Sequence, residues 1–189
     1  LLASDCPPTH LVGFEFSGAV RMALENKGVI ALSVDLRECD VGGCHAVMDV
    51  RDVLPLAHWE AAYLFPPCFQ QLRHDTDCLE SKISDGRAFW GCLLVIWCIF
   101  EGARYARMVT VEQADTLAAD HLDWTAYGIG NTFFRTPMYG DDEDKSVRLF
   151  TFNAVQPPFE AAPTSPIPQP LRSQFHYVDE EERDRSRSS

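Results

Sequence analysis

The chain has no C-x-x-C pair, no G-x-G-x-x-G turn and no uncharged apolar run of bilayer-spanning length. The first absence removes the usual zinc and dithiol signatures, although seven cysteines are present: Cys6, Cys39, Cys44, Cys68, Cys78, Cys92 and Cys98. Their odd number and irregular spacing fit reduced thiols in a cytoplasmic protein. His45, His58, His74 and His121 show no ligand spacing, so no metal is expected. The most apolar stretch is uncharged only over residues 89–100, well short of the roughly 20 residues a membrane span needs. It reads as a buried helix with Trp90 and Trp97, two turns apart, in the core. No basic segment leads into an apolar one at the start of the chain, so no secretory signal and no membrane association are expected. Positive charge is scarce: 16 Lys and Arg against 28 Asp and Glu leave a net charge of −12, which disfavours nonspecific binding to phosphate backbones. A local basic cleft remains open, with Arg148, Arg172, Arg183, Arg185 and Arg187 gathered late in the chain. No internal repeat is present.

What is present is one domain's worth of core: 189 residues at 46% hydrophobic content. Residues 11–16 read as a short strand, and "SGAVRMALENKG" as a helix opened by Ser17 or Gly18 and closed by Gly28. "VIALSVDL" then reads as a strand, completing a βαβ unit. "HAVMDV" and "AAYLFP" give further strands, residues 85–106 a long helix, "RMVTVEQ" a fifth strand and residues 147–152 a last one. Strands alternating with helices predict a Rossmann-like, doubly wound, mostly parallel α/β sheet, whose ligands sit beyond the carboxyl ends of the strands. Residues 156–170 are dense in proline and are expected to run extended over the surface, followed by a charged tail. The organisation expected is therefore a catalytic domain over residues 1–155 and a C-terminal extension over 156–189.

The residues that carry chemistry fall at those strand ends: Glu15, Asp35, Asp49, Cys68 and Glu112. Gly18, opening a helix after the first strand, permits close backbone approach to a nucleotide-like ligand. Asp35, closing the second strand, is placed to accept from both hydroxyls of a ribose, and Asp49 to accept from an exocyclic amine. Pro66 and Pro67 stiffen the backbone where the fourth strand leaves its sheet, so Cys68 is held in one orientation. That suits a nucleophile, and equally an ordinary strand end with a buried thiol.

In "FEFSGAVRMALENKG", "SVDL", "MDV", "FPPC" and "VEQ", over about residues 11–152, the chain resembles the cytosine-5 DNA methyltransferases, and more closely the small phage and prophage DNA methylase-like proteins of that family. The resemblance implies an S-adenosylmethionine-dependent methyltransferase fold. It also implies a cofactor site made by Phe14, Glu15, Phe16, Ser17, Gly18, Asp35, Leu36, Asp49, Val50 and Pro66. Cys68 would be the nucleophile, Glu112 would bind ring N3 and the amino group of cytosine, and Arg148 would help to hold the base or its phosphate. Gln113 stands where the family usually has asparagine, and the proline-rich stretch stands where sequence-reading members carry a recognition domain.

Two functions follow as expectations. One is methyl transfer to carbon 5 of cytosine in DNA, in the cytoplasm of a host if the protein is phage-encoded. The other is a methyltransferase-like module without catalysis that acts through contacts with a protein partner or a second copy of itself.

Overall fold

The computed structural model of the chain describes residues 7–68, 76–114, 123–135 and 146–153. Seven strands form one sheet: β1 (His10–Gly13), β2 (Ala31–Asp35), β3 (His45–Val47), β4 (Trp59–Leu64), β5 (Ala106–Ala114), β6 (Gly130–Arg135) and β7 (Ser146–Phe152). Their order across the sheet is β3-β2-β1-β4-β5-β7-β6. The first five are parallel, while β7 runs antiparallel to both β5 and β6. This is the doubly wound, mostly parallel, Rossmann-like sheet expected. The chain winds outward from β1 through β2 and β3, then returns to the other side of β1 for β4 and β5, so a crevice opens beyond the carboxyl ends of β1 and β4.

The central strands are apolar on both faces because elements cover both. Leu11, Val12, Leu32, Val34, Ala62 and Leu64 are all buried, which is why β1, β2 and β4 read as unbroken apolar runs. The helices are α1 (Ala19–Glu25), α2 (Val50–Val53), α3 (Thr76–Ser84) and α4 (Arg87–Tyr105), with 3-10 turns at Leu54–Leu56 and Trp124–Tyr127. Gly102 lets α4 lie close on β5: a methyl group there would come within 3.0 Å of a Val109 methyl. Trp59 Nε1 donates to the Leu54 carbonyl at 2.9 Å, which closes the core under β4.

The end of β1 is as tightly covered. A Cβ on Gly13 would stand 2.7 Å from Leu64 Cδ2 of β4 and 2.7 Å from Val50 Cγ2 of α2. Gly13→Ala is therefore expected to lower stability by about 1–3 kcal/mol through overpacking, read as a lower urea midpoint with an unchanged slope.

Four features differ from the sequence reading. β6, α2 and α3 were not expected: the first has little apolar alternation, the third begins in a polar stretch, and α2 begins at Val50 within the stretch read as the third strand, which ends at Val47 and leaves Asp49 as a helix cap rather than a strand end. α4 is not a fully buried helix, since Trp90 stands 69% exposed, while only Trp97 of the two tryptophans packs against the core. By length and composition α4 would suffice to cross a membrane, and it is the one such helix among the described residues. The extension over 156–189 lies outside the described residues.

Candidate active site

Phe14, directly after β1, has φ of 61°, a left-handed conformation that costs a side-chain-bearing residue of order 1–3 kcal/mol. The turn it makes keeps Glu15 in the ladder, its N–H donating to the Val34 carbonyl at 3.2 Å, while swinging the following residues over the strand ends. Glu15 is only 6% exposed. Its Oε1 accepts from Val20 N–H at 2.6 Å and from the Ser17 hydroxyl at 3.3 Å, so this carboxylate serves the first turn of α1. Ser17 Oγ in turn accepts from Ala19 N–H at 3.2 Å. Oε2 is buried with no hydrogen-bond partner. Burial pushes the Glu15 carboxyl above the ordinary glutamate range, against the pull of Val20, Arg21 and Ser17.

The sign of that shift sets a prediction. A carboxyl whose folded pKa is raised adds stability below its unfolded value of 4.5 and loses it as pH rises through the folded value. Glu15→Gln should therefore raise the melting temperature near neutral pH, with the gain shrinking as pH falls through the folded value and gone below the unfolded one. Thermal unfolding across that range reads it.

Gly18, with φ of 72°, caps α1 in the left-handed region. Its missing side chain makes room for the loop after β2: a Cβ would meet Val41 Cγ2 at 2.5 Å and Cys39 Sγ at 3.0 Å. That loop is held from beneath by Arg21, which the sequence reading passed over. Arg21 is 2% exposed. Nε donates to Ser33 Oγ at 3.2 Å, Nη1 to Glu25 Oε1 at 2.7 Å, and Nη2 to the Gly42 carbonyl. Ser33 Oγ lies 2.9 Å from His45 Nδ1, and His45 Nε2 lies 2.9 Å from the Arg37 carbonyl. Only one set of proton positions satisfies every member: Nε2 carries the hydrogen to the carbonyl, Nδ1 accepts from Ser33, and Ser33 accepts from Arg21. The chain of bonds ties α1, β2, β3 and the loop over residues 36–44 into one unit. Its sequence signals were a lone arginine on α1 and a lone serine inside an otherwise apolar β2.

Asp35 ends β2 as expected, with Oδ1 accepting from Arg37 N–H at 2.9 Å. Leu36 is 73% exposed beside it, and the Arg37 guanidinium lies 3.9 Å from the centre of the Phe16 ring. Asp49 has a structural duty. It caps α2 through Arg51 N–H at 2.8 Å and pairs with the Arg51 guanidinium, Nη2 to Oδ2 at 2.5 Å. That hydrogen bond holds its carboxyl below the usual aspartate range. Val50, the first residue of α2, is buried against Gly13.

On the other side of the crevice, Pro66 is buried and Cys68 half-buried. Gln113 Nε2 donates to the Pro66 carbonyl at 2.6 Å and is fully buried, so the Pro-Pro-Cys exit is fastened to the end of β5. Glu112 is the neighbouring residue and is half-buried. Alternation along β5 puts Glu112 on the face opposite Gln113. In the antiparallel register Gln113 stands across from Arg148 and Glu112 across from Leu149, so Arg148 shares the face of Gln113 rather than that of Glu112. Arg148 also lies over the Phe133 ring, 5.3 Å from its centre. By contrast with Cys68, Cys92 and Cys98 lie along α4, and burial pushes both thiols up, which suits packing rather than reactivity.

The described residues contain no cluster of three or more His, Cys, Asp or Glu that could hold a metal ion. They do fit a cofactor like S-adenosylmethionine. The orphaned Glu15 Oε2 is an acceptor awaiting a cationic or N–H donor, and Asp35 stands at the end of the adjacent strand.

No family model and no curated protein sequence matches the chain. Solved structures similar to it include the methyltransferase domain of METTL16, at 9% identity and a TM-score of 0.49, covering 81% of this chain and 75% of that one. The Dnmt2 methyltransferase of S. pombe is similar at 13% identity and a TM-score of 0.44, covering 79% of this chain and 51% of that one. The bifunctional kinase-methyltransferase WbdD is similar at 12% identity and a TM-score of 0.45, over 76% of this chain and 35% of its own. The chain thus spans about a third of WbdD and half of Dnmt2.

Proposed function

We propose that this chain transfers a methyl group from S-adenosylmethionine to carbon 5 of cytosine in DNA, with Cys68 as the covalent nucleophile. The observation that supports the reading is the bond from Gln113 Nε2 to the Pro66 carbonyl, which fastens the backbone two residues before Cys68 to β5 one residue from Glu112. Across the crevice stand an orphaned buried carboxylate oxygen on Glu15 and a strand-end aspartate at Asp35.

The cofactor supplies an electrophilic methyl group. Phe14 to Gly18, Asp35, Leu36, Asp49, Val50 and Pro66 are the residues that would hold it. Asp35 is assigned to the ribose hydroxyls, Glu15 to a donor group and the exposed Leu36 to the apolar base, with Val50, buried against Gly13, backing the site from beneath. Carbon 5 of cytosine is a poor nucleophile until the ring is saturated at carbon 6. The Cys68 thiolate forms a bond to carbon 6, and the displaced electron pair makes carbon 5 enamine-like. Glu112 donates a proton to ring N3 and accepts from the exocyclic amine, which stabilises the charge developing on the ring and selects cytosine. Once carbon 5 has taken the methyl group, whose bond to the sulfonium sulfur would break to leave the neutral thioether, the carbon 5 proton passes to water, which restores the double bond and expels Cys68 as thiolate. A base within a duplex must leave the stack for this addition. Arg148, on the face of Gln113, is assigned to a phosphate of the flipped nucleotide rather than to the ring.

Calorimetry with S-adenosylmethionine and its demethylated product tests the cofactor half of the reading. Wild type should bind, and Asp35→Ala should weaken binding by about 1–3 kcal/mol, the cost of leaving ribose hydroxyls unpaired. Absence of binding by wild type, or an unchanged affinity in Asp35→Ala, overturns it.

A further inference from the structure

α4 buries one face and bares another. Ala88, Gly91, Val95, Cys98, Ile99 and Gly102 are buried, whereas Phe89, Trp90 and Phe100 are 61%, 69% and 46% exposed. Phe89, Trp90, Leu93 and Phe100 fall in a stripe on one side of the helix, while Trp97 between them also packs against the core. Tyr127 extends the stripe, meeting Phe100 edge-on with ring centres 5.9 Å apart and itself well exposed. An aromatic surface of this kind marks a contact site.

We propose that the stripe is the docking surface for residues 156–170 of the same chain, whose proline-rich sequence favours the polyproline II form.

The exit point of the chain favours that occupant. Phe152 stands across from Val109, four residues beyond the end of α4, and shares the sheet face on which Gly102 of α4 meets Val109. Asn153, with φ of 53°, turns the chain there. The chain thus leaves β7 at the Phe100 end of the stripe.

Its length is sufficient. Ten residues of α-helix separate Trp90 from Phe100, about 15 Å at roughly 1.5 Å per residue. A polyproline II segment covers that in about five residues at roughly 3.1 Å each. The stretch "PTSPIPQP", with Pro163, Pro166, Pro168 and Pro170, exceeds it, and the residues between Asn153 and Pro163 supply the slack.

The chemistry also matches. Proline rings in P-x-x-P and P-x-P spacing pack on Trp, Tyr and Phe at small entropic cost because the helix is preformed. Residues 161–170 carry no charge, and neither does α4 from Ala88 to Phe100, so docking strips no ion of its water.

A photoreactive benzophenone-bearing phenylalanine placed at Trp90 in the full chain tests the proposal. Irradiation should give adducts to residues 156–170 within one chain, in a yield independent of protein concentration. Replacing Pro163, Pro166, Pro168 and Pro170 together by serine in the full chain should cut that yield several-fold and raise the fluorescence of an added apolar dye. Adducts that join two chains would identify a second copy as the occupant and overturn the proposal. So would flotation of the full chain with phosphatidylcholine–phosphatidylglycerol vesicles that is lost in Trp90→Lys. An adduct pattern without residues 156–170 overturns it as well. None of these readouts depends on cofactor or DNA.

Discussion

Cys68→Ala is expected to reduce methyl transfer by roughly 10⁴-fold or more, because no other group can replace the nucleophile in a two-step addition and elimination. The substitution removes one sulfur at a half-buried strand exit whose backbone is already fixed by two prolines and by Gln113, so the fold should survive. Cofactor affinity should survive too, since the residues assigned to the cofactor lie mainly on β1, β2 and α2. Transfer of a labelled methyl group to cytosine-containing DNA reads the loss. A denaturing gel with a 5-fluorocytosine substrate reads the adduct, which wild type should form and Cys68→Ala should not, because fluorine at carbon 5 blocks the proton loss that frees the enzyme. Activity retained in Cys68→Ala removes Cys68 from the role of nucleophile. A wild type that binds cofactor yet labels no cytosine would favour the non-catalytic module instead.

Arg21→Met should be the most damaging substitution for stability. It takes the charged donor from the buried Ser33 hydroxyl, which keeps His45, and from the exposed Gly42 carbonyl, which keeps only the 3.4 Å contact from Cys39 Sγ. Roughly 2–4 kcal/mol is expected in denaturant unfolding, about 1.5–3 of it from the charge-assisted bond to buried Ser33 and the rest from Gly42, with little from the Glu25 pair because Glu25 is partly exposed. The loop over residues 36–44 should loosen before the sheet does. Hydrogen exchange at Asp40 N–H, which donates to the Phe16 carbonyl at 3.1 Å, would report that loosening directly. Gly43 restricts rescue, because the guanidinium lies against its Cα side with no room for a Cβ. Lysine in place of Arg21 should recover only part of the loss, having no planar fork to reach Ser33, Glu25 and Gly42 at once.

The central sheet was legible in the sequence because parallel strands buried on both faces leave an unmistakable trace: "ALSVD" and "WEAAYL" are short, apolar and bounded by turns. The acidic strand ends were legible for the related reason that a charged residue directly after such a run has no place in the core. Asp35 and Asp49 look alike in sequence, yet only Asp35 ends a strand: Asp49 lies beyond β3, caps α2 and is committed to Arg51 two residues on. The Arg21 network escaped notice because its members are far apart in sequence and each is ordinary alone. The face occupied by Arg148 depends on the β5–β7 register, which no single segment encodes. Trp90 was misjudged since a helix apolar all round gives no hint of which side meets the sheet.

The position of β5 has a consequence for how the protein is made. It pairs in parallel with β4, which precedes it, but its other edge is closed only by β7, about forty residues later. At synthesis rates of roughly 5–20 residues per second, a nascent chain that has already assembled β1 to β5 waits about 2–8 s with that edge open. The exposed rim includes Val109, Val111 and Gln113, apolar or unable to blunt pairing by charge, and it is a template for any passing strand. Ribosome-bound intermediates stalled after Ala114 should therefore be the most aggregation-prone stage of its biogenesis, and the arrival of β6 and β7 the step that ends the hazard.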